Sequence, residues 1–309
     1  MTNPRLAFLI SLVLLASPAL RGQATESSIN KQLKALTAVP APPGAPSATD
    51  ASKPVGIPDA QRPATIIQLA KDISSLPAGP GKLKLADALL RASTPGEVGL
   101  EALQAAANTL AQALTESPQP EKDGNPAPAY AELARLARFA QIATSLKDPE
   151  LAKAGGILAA NDADIAKADF TLKDLNGKKV TFSALKGKIV LVNFWSTACP
   201  ACIKEMQDLD LIHTHYQSQG LVILSITGDN GFRANQYLAS KGYHPQVIAD
   251  DGGKVGKMFH VDELHPEGLP RTFVFDRDGK LVGESLDMCT QRQFFVMLGS
   301  AGLKPAGSN

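Results

Sequence analysis

The stretch from Val192 to Glu205 constrains the fold more than any other part of the chain. It closes an apolar, β-branched run, Ile189–Trp195, of a length that suits a buried strand, and it opens an amphipathic pattern that reads as a helix to about Gln219. Cys199 and Cys202 stand at the turn between the two. The first turn of a helix carries unpaired N–H groups and the positive end of the dipole, so a sulfur there is stabilised as a thiolate. Such surroundings bring a cysteine from a pKa of about 8.5 into the range ~3.5–7.5. Cys202, one turn further in, can close a disulfide with Cys199, and the pair reads as a redox couple. A Cys-x-x-Cys can also hold half of a zinc site, but zinc takes two such pairs and the sequence has one. A metal site and inert cysteines remain the alternatives to redox use.

Length and composition place this motif in a larger chain. The 309 residues suit two domains better than one, and 44% hydrophobic residues can bury a sizeable core. A formal net charge of +1 gives no reason to expect nucleic acid as a partner. Three cysteines are too few for a disulfide-scaffolded fold; the third, Cys289, reads as a partly buried thiol, with intermolecular pairing or redox use as alternatives. At the N-terminus, Arg5 precedes the apolar segment Leu6–Leu15, and small residues follow around Ala19 and Ala24. This is the pattern of a secretory signal over residues 1–24. The rival is a retained membrane tether, although Leu6–Leu20 as a helix would reach only ~22 Å against a ~30 Å hydrocarbon core. Either reading exports the remainder, to the periplasm or another extracytoplasmic space.

Residues 25–62 are rich in Pro, Ala, Ser and Gly and read as a linker. From 63 to 167 the pattern is helical. Stripes run through Ile66, Leu69, Ala70, Ile73 and Leu76, through Leu100, Leu103, Ala107, Leu110 and Leu114, and through Tyr130, Leu133, Ala137 and Ala140. This predicts a small all-α domain of four to six helices, either a docking or dimerisation module or a packed appendage. At Asp169 strands begin to alternate with helices: Phe170–Asp174 and Lys178–Phe182 around Asn176-Gly177, then Ile189–Trp195, Leu221–Ile226, Gln246–Ala249, Arg271–Asp276 and Lys280–Ser285. Helices are predicted after the cysteine pair, over Gly231–Lys241, Gly253–Phe259 and Thr290–Ala301. Residues 168–303 therefore read as an α/β domain with a mixed central sheet flanked by helices, and 304–309 as a tail.

Cys199 is the candidate nucleophile and Cys202 the resolving thiol. Pro200 and Ala201 offer the Cys199 sulfur no extra donor, which favours a reductant over an oxidant. Glu205 lies on the same helical face one turn after Cys202 and could take its proton during resolution; the alternative is a first-turn acid complementing the dipole. Pro270, ahead of a strand, could be cis and face the pair, with the Leu269 backbone pairing to an extended substrate segment. Trp195 either shields the disulfide or packs the core, and with Pro200, Leu269 and Pro270 it completes the candidate substrate-binding set. His213 and His215 point apart on a helix. His260 and His265 bracket a loop and could bind copper with the thiolates. Asp276 and Asp278 suit a hairpin turn.

These pieces together resemble the TlpA/ResA-like thiol-disulfide oxidoreductases of the thioredoxin superfamily over about residues 168–303. The matching parts are Phe170-Thr171-Leu172, Asn176-Gly177, Val190–Trp195, Cys199–Cys202, Glu205, Leu269-Pro270 and Asp276-Arg277-Asp278-Gly279. The resemblance implies a thioredoxin-like fold, a redox-active disulfide in place of any cofactor, a cis-proline opposite it and an acid/base role for Glu205. Asn193 stands where cytosolic thioredoxins carry a buried aspartate. The family is extracytoplasmic; its members typically reduce protein disulfides, often those of apocytochrome c, and are recharged by a membrane thiol transporter. Arg271 departs from the small or polar residue usual after the proline, and the loop 262–268 looks longer than the family's. The two rival functions are a peroxiredoxin-like peroxidase and a copper-binding or interaction protein. A peroxidase needs a proline and a threonine before its cysteine, and Val192 and Trp195 occupy the nearest such places.

Overall fold

The computed structural model describes residues 24–37, 57–93, 98–140, 142–174, 176–243, 246–250, 253–261, 269–285, 288–289 and 291–304. Residues 1–23 of the signal segment, residues 38–56 of the linker and the loop 262–268 with His265 lie outside these residues.

Among the described residues, six helices precede the first strand: α1 (Glu26–Thr37), α2 (Arg62–Ser74), α3 (Pro80–Ala92), α4 (Gly99–Glu116), α5 (Pro128–Phe139) and α6 (Pro149–Ile165). Proline sits in the first turn of α2, α3, α5 and α6, where its missing N–H removes only a donor that would go unpaired. At α6 the side chain of Asp148 caps the Glu150 N–H at 2.8 Å. Ile66, Leu69, Leu89, Leu103, Leu110, Leu114 and Tyr130 share one core with Ala102, Ala106 and Ala107, small residues that let α4 approach its neighbours closely.

The structure corrects the sequence reading here in two places. Residues 26–37, assigned to the linker, form α1, and its Ile29, Leu33 and Leu36 are buried in that same core. Those three positions make one stripe at i, i+4 and i+7, too short to stand out beside a proline-rich neighbour. The guanidinium of Arg62, itself buried, donates to the Leu36 carbonyl at 2.7 Å and so satisfies an acceptor that the end of α1 leaves open. Leu100, counted in the α4 stripe, is 63% exposed: it faces outward in the first turn, while Val98, Ala102 and Leu103 beside it enter the core. Ala137 of the third stripe is exposed as well.

The second part opens with an antiparallel hairpin, β1 (Thr171–Lys173) and β2 (Lys179–Thr181). Its turn uses Gly177 at φ +79 and the Asp174 carboxylate, which accepts from the Asn176 and Lys178 N–H groups at 2.9 Å each. The main sheet comprises β3 (Ile189–Trp195), β4 (Leu221–Thr227), β5 (Gln246–Ala249), β6 (Arg271–Phe275) and β7 (Leu281–Ser285) in the order β5-β4-β3-β6-β7. β4 runs parallel to β3 and β5, whereas β6 is antiparallel to both β3 and β7. Helices α7 (Pro200–Tyr216), α8 (Gly231–Lys241), α9 (Lys254–Met258) and α10 (Gln291–Ser300) complete this thioredoxin-like fold.

All seven residues of β3 are buried, as befits a central strand covered on both faces. Strand alternation then sorts its side chains. Ile189, Leu191 and Trp195 join Met206, Leu209 and Ile212 of α7 and Phe294 and Leu298 of α10. Val190, Val192 and Phe194 join Phe170, Phe259, Phe273 and Phe275 on the opposite face. The same parity sends Asn193 toward α7, and this fixes the chemistry of the site.

Candidate active site

Cys199 is the N-cap of α7, with extended backbone at φ −101 and ψ 105. It is bonded to Cys202. The Cys202 N–H points at the Cys199 sulfur, 3.1 Å away, so one first-turn donor of the helix is aimed at the atom that carries charge after reduction. Pro200 follows at the exposed first position and contributes none. Cys199 is half-buried whereas Cys202 is 1% exposed, so a second molecule reaches Cys199 first.

The loop that delivers Cys199 is tied down from β4. Asp229, just past that strand, accepts from Ser196 Oγ at 3.0 Å and from the Thr197 N–H at 2.5 Å. Burial pushes the Asp229 carboxyl up, but these bonds and one from Thr227 outweigh it and hold it below the usual carboxylate range. On the other side stands the Leu269–Pro270 peptide, which is cis. The Leu269 carbonyl oxygen is 3.8 Å from the Cys199 sulfur, and Leu269 is half-buried while Pro270 is buried.

Behind the disulfide, Glu205 is 1% exposed, one turn on from Cys202. Its Oε2 accepts from Asn193 Nδ2 at 2.9 Å and its Oε1 from the backbone N–H of Cys289 at 2.6 Å. Asn193 also donates to Thr272 Oγ1 at 3.1 Å. Thr272 pairs with Asn193 across the β3–β6 ladder, so the two side chains share a face by register. Arg271, the residue after the proline, points the other way. There it forms a buried ion pair with Glu284 of β7, and its guanidinium lies 5.3 Å from the centre of the Phe273 ring.

Cys199, Cys202, Glu205, Leu269 and Pro270 thus converge on one end of the sheet, around the start of α7. Trp195 departs from the expected substrate-binding set. At 1% exposure it packs beside Cys202 within the core and offers no surface to a substrate, because the last residue of a strand covered on both faces has nowhere else to point. Val192 and Trp195, the positions weighed above against a peroxidase's proline and threonine, are both buried. His260 turns from the cysteine pair toward the helical region, with Nε2 at 3.4 Å from Asp164 of α6. Among the described residues no group of three His, Cys, Asp or Glu side chains could hold a metal ion. Asp276 serves the β6–β7 turn, accepting from the Asp278 and Lys280 N–H groups at 3.0 and 2.9 Å.

Sequence reasoning missed Asp229, Thr272, Glu284 and the Cys289 N–H. Thr272 was within reach of the β3–β6 register. Asp229 and Glu284 are lone acids far from their partners in sequence, and a backbone donor leaves no mark on residue type.

The model of the AhpC/TSA family matches residues 164–283. The thiol-disulfide oxidoreductase ResA of Bacillus subtilis (strain 168) is 34% identical over 115 residues, which are 37% of this chain and 62% of that protein. ResA of Bacillus thuringiensis (strain Al Hakam) is 32% identical over 126 residues, 40% of this chain and 70% of that protein. The chain belongs to the ResA-type thiol-disulfide oxidoreductases. Solved structures that it resembles include StoA from Bacillus subtilis, at 18% identity and a TM-score of 0.37 over 42% of this chain and 96% of that one. Another is a putative thiol:disulfide interchange protein DsbE from Chlorobium tepidum, at 21% identity and a TM-score of 0.39 over 43% and 93%. The match to the family model lies over the α/β part. The helices α1 to α5 precede the residues matched by the family model, and the chain spans only 62% of the length of the Bacillus subtilis relative.

Proposed function

We propose that this member of the ResA-type family is an extracytoplasmic reductant of protein disulfides, apocytochrome c among its candidate substrates. The observation that carries this reading is the asymmetry of the pair. One sulfur is reachable at a helix start beside the Leu269 carbonyl, and its partner is sealed in the core next to a buried carboxylate.

The cycle begins from the dithiol. The Cys199 thiolate attacks a substrate disulfide, forming a mixed disulfide and releasing one substrate sulfur as thiolate, which takes a proton from water. Glu205 receives the Cys202 proton, and the Cys202 sulfur attacks Cys199, restoring the intramolecular disulfide and releasing the second substrate thiol. Two electrons pass to the substrate in each turnover. The Leu269 backbone would align an extended substrate segment by strand-like pairing. A membrane thiol transporter would return the electrons. Export rests on Arg5 and the apolar run Leu6–Leu15, cleaved or kept as a tether. Among the described residues no helix is long and apolar enough to cross a membrane.

The direction of transfer follows from the donor count at Cys199. The Cys202 N–H reaches its sulfur, while Pro200 and Ala201 add no side-chain donor, so the thiolate is stabilised only modestly. Equilibration against glutathione measures this directly. A potential in the thioredoxin-to-glutaredoxin range, about −270 to −200 mV, is expected, whereas one near the −120 mV of a strong oxidant reverses the assignment.

A further inference from the structure

We propose that Arg135 of α5 is a positioning residue for the redox site, coupling the docking of the helical region on β7 to the state of the Cys199–Cys202 pair. The inference rests on the reading above only in that the pair must cycle.

β7 is the last strand of the sheet, and α5 covers its open edge. Arg135 makes that contact with all three of its guanidinium nitrogens engaged. Nε and Nη2 bind Glu132 at 3.0 and 2.6 Å, and Nη1 donates to the Glu284 carbonyl of β7 at 2.8 Å. Glu132 presents the fork rather than merely neutralising it, since a bidentate carboxylate fixes the guanidinium plane.

From Glu284 two routes lead to the disulfide. The Glu284 carboxylate pairs with Arg271, and both side chains are at least nine-tenths buried, at 4% and 2% exposure. Arg271 follows Pro270 directly, and the Leu269 carbonyl faces the Cys199 sulfur at 3.8 Å. The second route passes through a cleft of about 70 Å³ between α5, β7 and α10, which Arg135 and Cys289 both line. The Cys289 N–H holds Glu205, one turn from Cys202. Helix α5 therefore stands behind both the proline wall and the carboxylate. The disulfide ties Cys199 to Cys202 across the first turn of α7, one turn before Glu205, so opening it removes a constraint on the helix start that carries Glu205 and weakens the seat of α5. Coupling of this kind is reciprocal: weakening the seat of α5 must favour the dithiol by the same factor.

Hydrogen exchange of the full-length wild-type protein, oxidised and reduced with dithiothreitol, tests the first half. Amides of Ala129–Phe139 are expected to exchange about fivefold faster or more in the dithiol form, with α2 and α3 unchanged. Equal rates in α5 for the two forms overturn the inference, and this arm needs no variant to fold. Arg135→Ala tests the second half: its glutathione equilibrium should move about fivefold toward the dithiol, with Arg135→Lys, which keeps the charge and one donor, lying between. A folded Arg135→Ala protein with the wild-type equilibrium constant, or one displaced toward the disulfide, removes the coupling. A pair that neither reagent can open or close sinks the redox reading together with the inference; a cycling pair with an indifferent α5 sinks the inference alone.

Discussion

Glu205 and Cys289 meet across the fold, the Glu205 Oε1 accepting a 2.6 Å hydrogen bond from the Cys289 backbone N–H. With Asn193 on the other oxygen at 2.9 Å, the carboxylate is gripped from β3 on one side and from the segment before α10 on the other. Because the Cys289 donor is backbone, the grip survives substitution of the Cys289 side chain. The two residues are therefore expected to separate cleanly on mutation. Glu205→Gln keeps the volume but replaces an acceptor with an amide and cannot take a proton. It should slow resolution of the mixed disulfide by about 10²-fold at neutral pH, read by stopped-flow after attack by Cys199. Cys289→Ala should leave that rate within about twofold, since its bond to Glu205 is made by the backbone. An undiminished rate in Glu205→Gln would remove its acid/base role.

Cys202 is sealed while Cys199 is reachable, so the two serines should behave differently. Cys202→Ser keeps the attacking thiolate but cannot resolve, and it is expected to accumulate a covalent adduct with a disulfide substrate at Cys199, visible by intact mass. Cys199→Ser leaves only the buried thiol and should form no adduct on the same timescale. An adduct of comparable yield on Cys202 would mean that the helix opens before it reacts.

Arg271 and Glu284 form an ion pair with almost no access to water. Removing one member leaves a buried charge with its strongest partner gone, at a cost of about 3–5 kcal/mol. Glu284→Leu should lose that much in urea unfolding, and Arg271→Met a similar amount. The double variant should recover most of it, since an apolar pair of similar volume is often no less stable. Additive losses in the double variant would show that the two side chains act independently.

What the sequence carried and what it did not can be read from particular elements. β3, α8 and β5 match the sequence reading residue for residue at Ile189–Trp195, Gly231–Lys241 and Gln246–Ala249, because each has an unbroken apolar period ending at a turn former. The cysteine pair and Glu205 were legible because their spacing fixes them on one helix. Helix α1 was hidden because its propensity is ordinary and packing against α3 and α2 supports it as a helix. The partners of the site were hidden for a different reason. Asp229 acts on residues 32 and 33 positions earlier, and Arg135 on one 149 positions later. No local pattern encodes such pairings; the meaning of Arg271 beside Pro270 emerged only once β7 was seen to carry its counter-charge.

Asp229 gives the fold a dependence on acid whose sign is fixed. Its carboxyl is held below the usual range in the folded protein, so its contribution is present above the unfolded pKa of about 4 and is lost as pH falls through the lower folded value. Asp229 is half-buried, so the bonds to Ser196 and Thr197 are worth about 1 kcal/mol rather than the full value of buried charged ones. Asp229→Asn should therefore be less stable than wild type by about 1 kcal/mol at neutral pH, and the gap should close in strong acid, once the pH is below the lowered folded value and both side chains are neutral. The same substitution loosens the turn before Cys199, so its attack on a disulfide should slow at neutral pH without a change in the oxidised protein's helix content. Urea melts at the two pH values decide the matter: a gap that persists in acid would place the role of Asp229 in packing rather than in charge.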